Sequence, residues 1–382
     1  MQIDDLAAPV AAGKGLPGRA YTDPAVFEAE RERLFRGGWM ALLFAHEVPD
    51  AGDQMPVDGA GLPLVAVRER DGSVRVFHNV CRHRAALVVP EPVRGQPTLR
   101  CPLHGWAYAL DGTLRAIPLW DGHRVPARDS LDRASLRLRE VRSFVWCDIV
   151  WVDLSGTAVA PETLVAPFER LWAPYDMTAF RLFHTSRGKI AANWKLTVET
   201  AVENYHEAFV HAELPARVDE AGRATWQDVA DEAMFGFTFA GENKLRSETP
   251  LVPLHDPGAP RTDNLCFLFP NTQLNLFGGL AVRTMWVPRA PDLTEWCTAW
   301  YLVGDAATDP ALAANRDATI AFWMRLRGED QPAVEYLQQG RTSPVATDIL
   351  LSPFWERSIL TFHRMWVERM APHPGLHVAS AG

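Results

Sequence analysis

The 382-residue sequence contains no long hydrophobic run. Its most apolar stretch, Phe144 to Leu154, is short and is interrupted by Asp148 and Asp153, whereas a helix needs about 20 apolar residues to cross a bilayer. The first thirty residues have neither the basic start nor the apolar core of a signal peptide. We therefore predict a cytoplasmic protein that has no membrane partner.

Basic residues are also scarce. The chain has 38 Lys and Arg against 47 Asp and Glu, which gives a formal net charge of −9. No basic block stands out, so nucleic acid is not an expected partner. A glycine-rich dinucleotide fingerprint is missing after the predicted strands, so we do not expect the chain itself to bind NAD(P)H. With 47% hydrophobic and 22% charged residues, the composition is that of a folded globular protein.

Cysteine is too rare and too scattered for a disulfide scaffold, and the count of five is odd. Two of the cysteines, however, lie beside histidines. This placement predicts metal chemistry for those two rather than a structural crosslink.

The pattern along the chain predicts two domains of different class. An amphipathic helix is predicted from Asp23, in a segment 1–38 that we expect to pack as an N-terminal arm and helix on the second domain. Short alternating runs predict an all-β domain over residues 39–153. Residues 154–382 mix strand and helix patterns, so the fold class is α+β. Helical periodicity in the last part covers Ala318–Arg325, Pro332–Gln339 and Pro353–Met370.

Two mixed cysteine and histidine pairs lie in loops of the β domain. Cys81 and His83 form the first pair, and Cys101 and His104 form the second, with seventeen residues between His83 and Cys101. A tetrahedral zinc site accepts the same donors, but zinc spacings usually pair Cys with Cys and His with His. In a Rieske 2Fe-2S centre one iron takes two Cys and the other two His. The mixed pairs fit the cluster better.

The residues around these pairs carry a resemblance. NVCRHRAALVVP and RCPLHGWAYALDGTL resemble the two cluster loops of Rieske proteins. Ala85 departs from the pattern, because the family usually has Gly after His-Arg, where close backbone approach matters. Neither loop holds a further Cys for a clamp disulfide, which resembles the Rieske proteins of oxygenases more than the respiratory ones.

A second constellation lies in NWKLTVETAVENYHEAFVHAEL, a Pro-free stretch that predicts a helix. On an ideal helix Glu199, Glu203 and His206 share one face. His211 lies about 140° round from His206, so both can bind one metal only if the helix ends or bulges between them. Glu203 and His206 form an E-x-x-H motif. A di-iron carboxylate bundle would need a second E-x-x-H motif, which the chain lacks. We therefore predict a mononuclear non-haem Fe(II) held by two His and one carboxylate.

The carboxylate ligand must come from elsewhere in the chain. Asp330 and Asp348 are the candidates, and we choose Asp330 because GEDQPAVEYLQQG resembles the stretch that delivers the carboxylate in Rieske oxygenases. With the cluster loops, the iron-binding segment, the opening YTDPAVFEAERERLFRGGW and the tail FWERSILTFHRMW, the resemblance to catalytic α subunits of Rieske non-haem iron oxygenases covers most of the chain.

This resemblance implies a small all-β Rieske domain and a larger α+β catalytic domain with an antiparallel sheet and helices. It implies a homotrimer in which electrons pass from the 2Fe-2S cluster to the mononuclear iron of the next subunit, where O2 is the cosubstrate. Glu203 would bridge the two centres; the position is commonly Asp, and Glu resembles the carnitine and betaine oxygenase branch. A separate NAD(P)H-dependent reductase of flavin or ferredoxin type would supply the electrons.

We predict a small-molecule substrate, either an N-methyl or a quaternary ammonium compound. The expected reaction is its monooxygenation or N-demethylation. The alternatives are ring hydroxylation of an aromatic compound or aromatic acid, and a Rieske electron-transfer protein without oxygenase activity. We expect part of the pocket to be lined by Phe267 to Phe277 with Asn271 and Asn275, and by Arg283 and Trp286.

Overall fold

A computed structural model describes residues 4–122, 131–211, 213–214, 217–240 and 249–371. The chain divides into two compact units. One is Arg31–Pro161, and the other joins Met1–Glu30 to Glu162–Gly382. In these described ranges every helix is too short or too polar to span a bilayer. The α+β fold class is confirmed, with an all-β unit and a larger mixed unit. The domain boundaries after residues 38 and 153 stay predictions.

The smaller unit begins with a π-helical turn, Arg31–Phe35, and is then built from antiparallel strands. A sheet of order β1-β9-β8-β4-β3-β2 lies beside a three-stranded sheet β5-β6-β7. The strands are β1 (Trp39–Phe44), β2 (Gln54–Gly59), β3 (Leu62–Arg68), β4 (Val74–His78), β5 (Thr98–Arg100), β6 (Ala107–Ala109), β7 (Leu114–Ala116), β8 (Glu140–Trp146) and β9 (Ile149–Asp153).

Buried apolar side chains of both sheets form the core of this unit. The two cysteines of the predicted cluster belong to that core, where they pack with Val65, Phe77, Leu99, Tyr108 and Leu114. Because an unpaired thiol is among the most readily buried side chains, the core alone could hold them. Their position becomes informative only with the histidines described below.

The larger unit contains one antiparallel sheet of order β10-β16-β15-β14-β13-β12-β11. Its strands are β10 (Phe180–Ile190), β11 (Trp226–Asp231), β12 (Met234–Ala240), β13 (Thr262–Leu268), β14 (Thr272–Phe277), β15 (Leu280–Ala290) and β16 (Leu293–Val303). The helices are α1 (Asp4–Ala11), α2 (Arg19–Thr22), α3 (Pro24–Glu30), α4 (Pro161–Trp172), α5 (Trp194–Ala201), α6 (Glu207–Val210), α7 (Ala313–Arg341) and α8 (Arg357–Met370).

The long helix predicted over the E-x-x-H segment is wrong. Asn193 is the N-cap of helix α5, because its side chain accepts a hydrogen bond from Lys195 N. The helix ends at Ala201. The carboxylate of Glu203 then accepts hydrogen bonds from the backbone N–H groups of Tyr205 and His206. A side chain that bonds nearby backbone donors competes with helical pairing. The chain therefore turns at this point, and only the short helix α6 follows.

The prediction that Glu199 shares a helical face with Glu203 and His206 is wrong for the same reason. Glu199 lies on α5, where its carboxylate accepts a hydrogen bond from Tyr21 Oη at 2.6 Å and lies 2.9 Å from His363 Nε2. Glu203 lies beyond the end of that helix. The carboxylate of Glu199 therefore contacts α2 and α8, whereas that of Glu203 contacts the turn after α5.

A buried ion pair anchors the N-terminal turn of α5. Lys195 Nζ lies 2.5 Å from Glu30 Oε1, and both side chains are fully buried. The same carboxylate accepts hydrogen bonds from Trp194 Nε1 at 3.0 Å and Trp366 Nε1 at 2.7 Å. Because removing a charge from water costs several kcal/mol, these additional donors are needed to keep the pair buried. They tie α3, α5 and α8 together.

Helix α7 is one continuous helix of 29 residues, whereas the sequence pattern predicted two separate helical segments. Pro332 lies inside it. Proline has no N–H, so it cannot bond the carbonyl four residues earlier, and it usually ends a helix. Tertiary packing overrides this local cost, and Asp330 consequently lies within a helix rather than at a helix start.

Candidate metal centres

Two histidines and one carboxylate meet in the larger unit. Asp330 Oδ1 lies 2.9 Å from His211 Nε2 and 3.4 Å from His206 Nε2. The two imidazole rings have centroids 5.3 Å apart. His206 comes from the turn after α5, His211 follows α6, and Asp330 projects from α7. The break between α5 and α6 removes the 140° separation that a continuous helix would impose.

The donor set fits a divalent transition metal. Asp330 Oδ1 is buried and lies within ion-pair distance of the Nε2 atoms of both imidazole rings. Burial opposes the charged form of His206, but hydrogen bonds and charges from Asp330 and Glu203 outweigh it and raise the pKa of His206 to about 10. The site therefore attracts positive charge. Two imidazoles with one carboxylate are the ligands of mononuclear non-haem Fe(II) centres.

The remaining ring nitrogens of both histidines also face carboxylates. His206 Nδ1 contacts Glu203 Oε1, and His211 Nδ1 lies 2.8 Å from Glu329 Oε2. A carboxylate on Nδ1 fixes the ring so that Nε2 is free for a metal. Sequence reasoning missed Glu329. Its only signal was its place beside the chosen ligand Asp330.

Asp348, the other candidate for the third ligand, lies elsewhere. Its carboxylate forms an exposed ion pair with Lys14 Nζ at 2.6 Å. The structure therefore brings Asp330, and not Asp348, to the two histidines.

In the smaller unit the four residues of the predicted cluster divide into a buried pair and an outer pair. Cys81 and Cys101 are buried, with 3% and 2% of each residue's surface exposed. His83 is partly buried, and His104 is exposed. Their ring centroids lie 4.7 Å apart, and His83 stacks on Trp106 at 5.0 Å. Two sulfur donors inside and two imidazoles outside are the donor set of a Rieske 2Fe-2S cluster.

The two cluster loops have the same backbone turn. Ala85 N donates to Cys81 O, and Gly105 N donates to Cys101 O, each at 3.0 Å. Both Ala85 and Gly105 have positive φ, 58° and 72°. Tyr108 Oη supports the first loop, because it lies 3.4 Å from Cys81 Sγ and accepts a hydrogen bond from Arg82 N. The departure at Ala85 therefore does not alter the turn but places a side chain in a left-handed conformation.

A cavity of about 140 Å³ borders the mononuclear site in the larger unit. Its polar wall includes Glu203, Glu207, Arg217, Asn275, Arg327 and Asp330, and its aromatic wall includes Phe237, Phe239, Phe277, Trp286, Phe322 and Trp323.

Of the expected segment Phe267 to Phe277, only Gln273, Asn275 and Phe277 line the cavity. Two of the four residues expected individually do not line it. Asn275 and Trp286 do, but Asn271 Nδ2 instead donates to Trp286 O. Arg283 stacks over the Tyr301 ring at 4.0 Å. Its strand neighbours Val282 and Thr284 line the cavity, and alternate residues of a strand face opposite sides. The pocket prediction for Asn271 and Arg283 is therefore wrong.

Comparisons with known proteins agree with both centres. A family model described as Rieske [2Fe-2S] domain matches residues 38–127, and one described as ring hydroxylating alpha subunit (catalytic domain) matches residues 172–372. The chain is 25% identical to the glycine betaine monooxygenase oxygenase subunit of Chromohalobacter salexigens over 95% of this chain and 88% of that protein. It is 25% identical to the carnitine monooxygenase oxygenase subunit of Escherichia coli over 92% of each.

The fold is that of a solved relative as well. The quaternary ammonium Rieske monooxygenase CntA, solved with an inhibitor, superposes with a TM-score of 0.79 at 20% identity, covering 97% of this chain and 99% of that one. Because the catalytic-domain model matches more than half of the chain, the protein belongs to the Rieske oxygenases as a catalytic α subunit. Such enzymes contain a Rieske 2Fe-2S cluster and a mononuclear iron, use O2, and take electrons from a separate reductase.

We predict that Ala85→Gly stabilises the smaller unit by up to about 1 kcal/mol, because glycine adopts positive φ without the steric cost that Ala pays. The measurement is the temperature midpoint at which the visible absorption of the cluster is lost. Ala86→Gly is the matched control and should lower the midpoint, because Ala86 packs against the core and does not have a positive φ. Equal midpoints for Ala85→Gly and the unmodified protein would contradict the argument.

Proposed function

We propose that the protein is the terminal oxygenase for a quaternary ammonium or N-methyl compound. The observation that carries the proposal is the meeting of His206 Nε2, His211 Nε2 and the buried Asp330 Oδ1 at the wall of a cavity. In this proposal these three residues hold the mononuclear iron. Cys81, His83, Cys101 and His104 hold the cluster.

When bound, the iron supplies open coordination positions for O2 and the cluster supplies electrons. The chain's own residues supply position. Glu203 and Glu329 orient the two imidazoles through their Nδ1 atoms, and the cavity walls hold a substrate C–H next to the iron ligands. One oxygen atom enters that C–H bond, and the other leaves as water after taking up two electrons from the reductase and two protons from solvent. Hydroxylation beside nitrogen gives a hemiaminal, which breaks down to an aldehyde and an amine.

The aromatic wall supports the ammonium substrate. Phe277 lies between Trp323 and Phe239, with ring centroids 5.1 Å and 6.0 Å away. Aromatic faces attract quaternary ammonium groups through the ring quadrupole. The betaine and carnitine oxygenases described above act on compounds of this class, and their similarity extends over nearly the whole chain.

We propose further that three subunits form a ring in which the cluster of one subunit serves the iron of its neighbour. Exposed apolar side chains near both centres support an interface at each. Leu103 and Trp120 are 54% and 46% exposed near the outer histidines, and Phe209 is 82% exposed near His206. Inter-subunit electron transfer has been described for the quaternary ammonium monooxygenase CntA. Glu203 is then the bridging carboxylate.

Two finer points also belong to this proposal. The electrons come from NAD(P)H through a separate protein, because the chain has no nucleotide fingerprint of its own, and we propose a reductase of flavin or ferredoxin type. The location is the cytoplasm, as the sequence predicts.

The ligand assignment predicts the iron content. The unmodified protein should hold about three Fe per chain, and Asp330→Ala should hold about two with an unchanged cluster spectrum, because the two centres use separate ligands. Asp348→Ala is the matched control and should keep all three. Iron analysis with electron paramagnetic resonance measures both. Loss of iron in Asp348→Ala but not in Asp330→Ala would reverse the assignment.

The bridge predicts a kinetic effect without metal loss. Glu203→Gln should keep both centres but slow reoxidation of the chemically reduced cluster in a single turnover by roughly 10-fold or more, because the hydrogen-bonded carboxylate on His206 is replaced by a neutral amide. Glu368→Gln, an exposed substitution on α8, is the control and should keep the normal rate. If Glu203→Gln loses the mononuclear iron, Glu203 is a ligand and not a bridge.

The substrate class is tested directly by turnover. Purified protein with Fe(II), a generic reductase and O2 should convert glycine betaine or carnitine to an aldehyde and an amine, and should leave benzoate unhydroxylated. Aldehyde formation should depend on O2 and stop in Asp330→Ala. Ring hydroxylation without aldehyde release would favour an aromatic substrate. A protein that holds only two Fe per chain and gives neither product would be an electron carrier.

A further inference from the structure

Arg327 is a cavity residue that is not one of the predicted iron ligands. It lies on α7 one helical turn before Asp330. Its guanidinium stacks on the Trp296 ring at 3.9 Å and lies 5.4 Å from the Trp286 ring centroid. One nitrogen, Nη2, donates to Thr298 Oγ1 at 3.1 Å. These contacts fix the guanidinium plane at the cavity wall.

The other terminal nitrogen of the Arg327 guanidinium group is Nη1. Arg327 Nη1 is buried, and within the described part of the chain it has no hydrogen-bond partner. Trp286 Nε1, a second donor of a cavity residue, is also buried and lacks a partner among the same residues. A buried donor without an acceptor costs about 1–3 kcal/mol, and more when it is charged. Two such donors therefore indicate that an acceptor group belongs here.

The other charges around the cavity already face partners. Arg217 forms a two-bond pair with Glu207, at 2.6 Å and 3.1 Å. Glu203 faces His206, and Asp330 faces both iron-binding histidines. Arg327, in contrast, has no carboxylate within ion-pair distance in the residues that the structure describes. Iron held by Asp330 would take up that carboxylate's charge as well, which would leave Arg327 with still less compensation.

We propose that Arg327 binds a carboxylate of the substrate, which rests on the proposed function of this cavity as the substrate site. Guanidinium groups are always charged at physiological pH and match carboxylates in geometry. A substrate that carries both charges would then place its carboxylate on Arg327 and its ammonium group against the aromatic rings around Phe277. The inference narrows the substrate class to ammonium compounds with an acid group, such as betaines, and disfavours simple cations.

Matched pairs of probes test this inference. Glycine betaine and choline share a trimethylammonium group and differ in having a carboxylate or a hydroxymethyl group. Benzoate and benzyl alcohol differ in the same way on an aromatic ring. Binding of each probe to the iron-loaded, oxidised protein is measured by titration calorimetry without reductant, so the result does not depend on turnover.

The unmodified protein should bind glycine betaine roughly 10-fold or more tightly than choline, as expected for a charge-assisted hydrogen bond. Arg327→Met keeps the volume of the side chain and should remove this preference without weakening choline binding. Arg327→Lys keeps the charge but not the planar donors and should keep part of the preference. Arg364→Met, which removes an exposed charge from α8, is the control and should bind all probes as before.

The outcomes separate this inference from the substrate proposal. If glycine betaine does not bind, but benzoate binds more tightly than benzyl alcohol and loses that advantage in Arg327→Met, the carboxylate site stands and the ammonium substrate fails. If neither carboxylate binds more tightly than its alcohol, or if Arg327→Met keeps the preference, the inference is overturned. Iron content shows whether Arg327→Met is folded; if it is not, Arg327→Gln replaces it under the same criteria.

Discussion

The contact of two imidazole nitrogens with Asp330 Oδ1 requires two features that local helix rules do not provide. His206 and His211 can reach one point only because Glu203 captures the backbone N–H groups after α5 and ends the helical run. Asp330 can reach the same point only because α7 continues through Pro332, so that its middle rather than its start lies at the site. Both features lower local helix stability, and both are needed to bring the three side chains together.

The carboxylates around the histidines form a site that is short of positive charge. Glu203, Glu329 and Asp330 all lie within hydrogen-bonding distance of the two rings. Like charges held together raise the free energy of a site, and a cation lowers it. Burial disfavours ionisation of Asp330, yet its contacts with both histidines keep the pKa of its carboxyl below the usual value. A divalent metal held by His206, His211 and Asp330 would supply the positive charge that these groups attract.

Sequence reasoning succeeded where ligands lie close together in short loops. The spacing of Cys81, His83, Cys101 and His104 predicted four residues that the structure places in two matching turns. The E-x-x-H motif predicted the segment that carries the two histidines of the candidate iron site. It did not predict Glu329 or Arg327, because the direction of a side chain on α7 depends on how that helix packs. Arg283 was placed on the wrong side, although strand alternation with Val282 and Thr284 could have excluded it from the cavity.

The charge balance of the cavity links the metal site to substrate choice. Arg327 lies three residues from Asp330 on the same helix, so the two side chains project from neighbouring positions on one face. The negative charge of Asp330 partly offsets the positive charge of the buried guanidinium. Iron at Asp330 removes that offset, because the carboxylate then neutralises the metal. A substrate carboxylate gives the guanidinium of Arg327 an acceptor, whereas a simple cation leaves it without one. The iron-loaded cavity therefore favours a zwitterion over a cation of the same size.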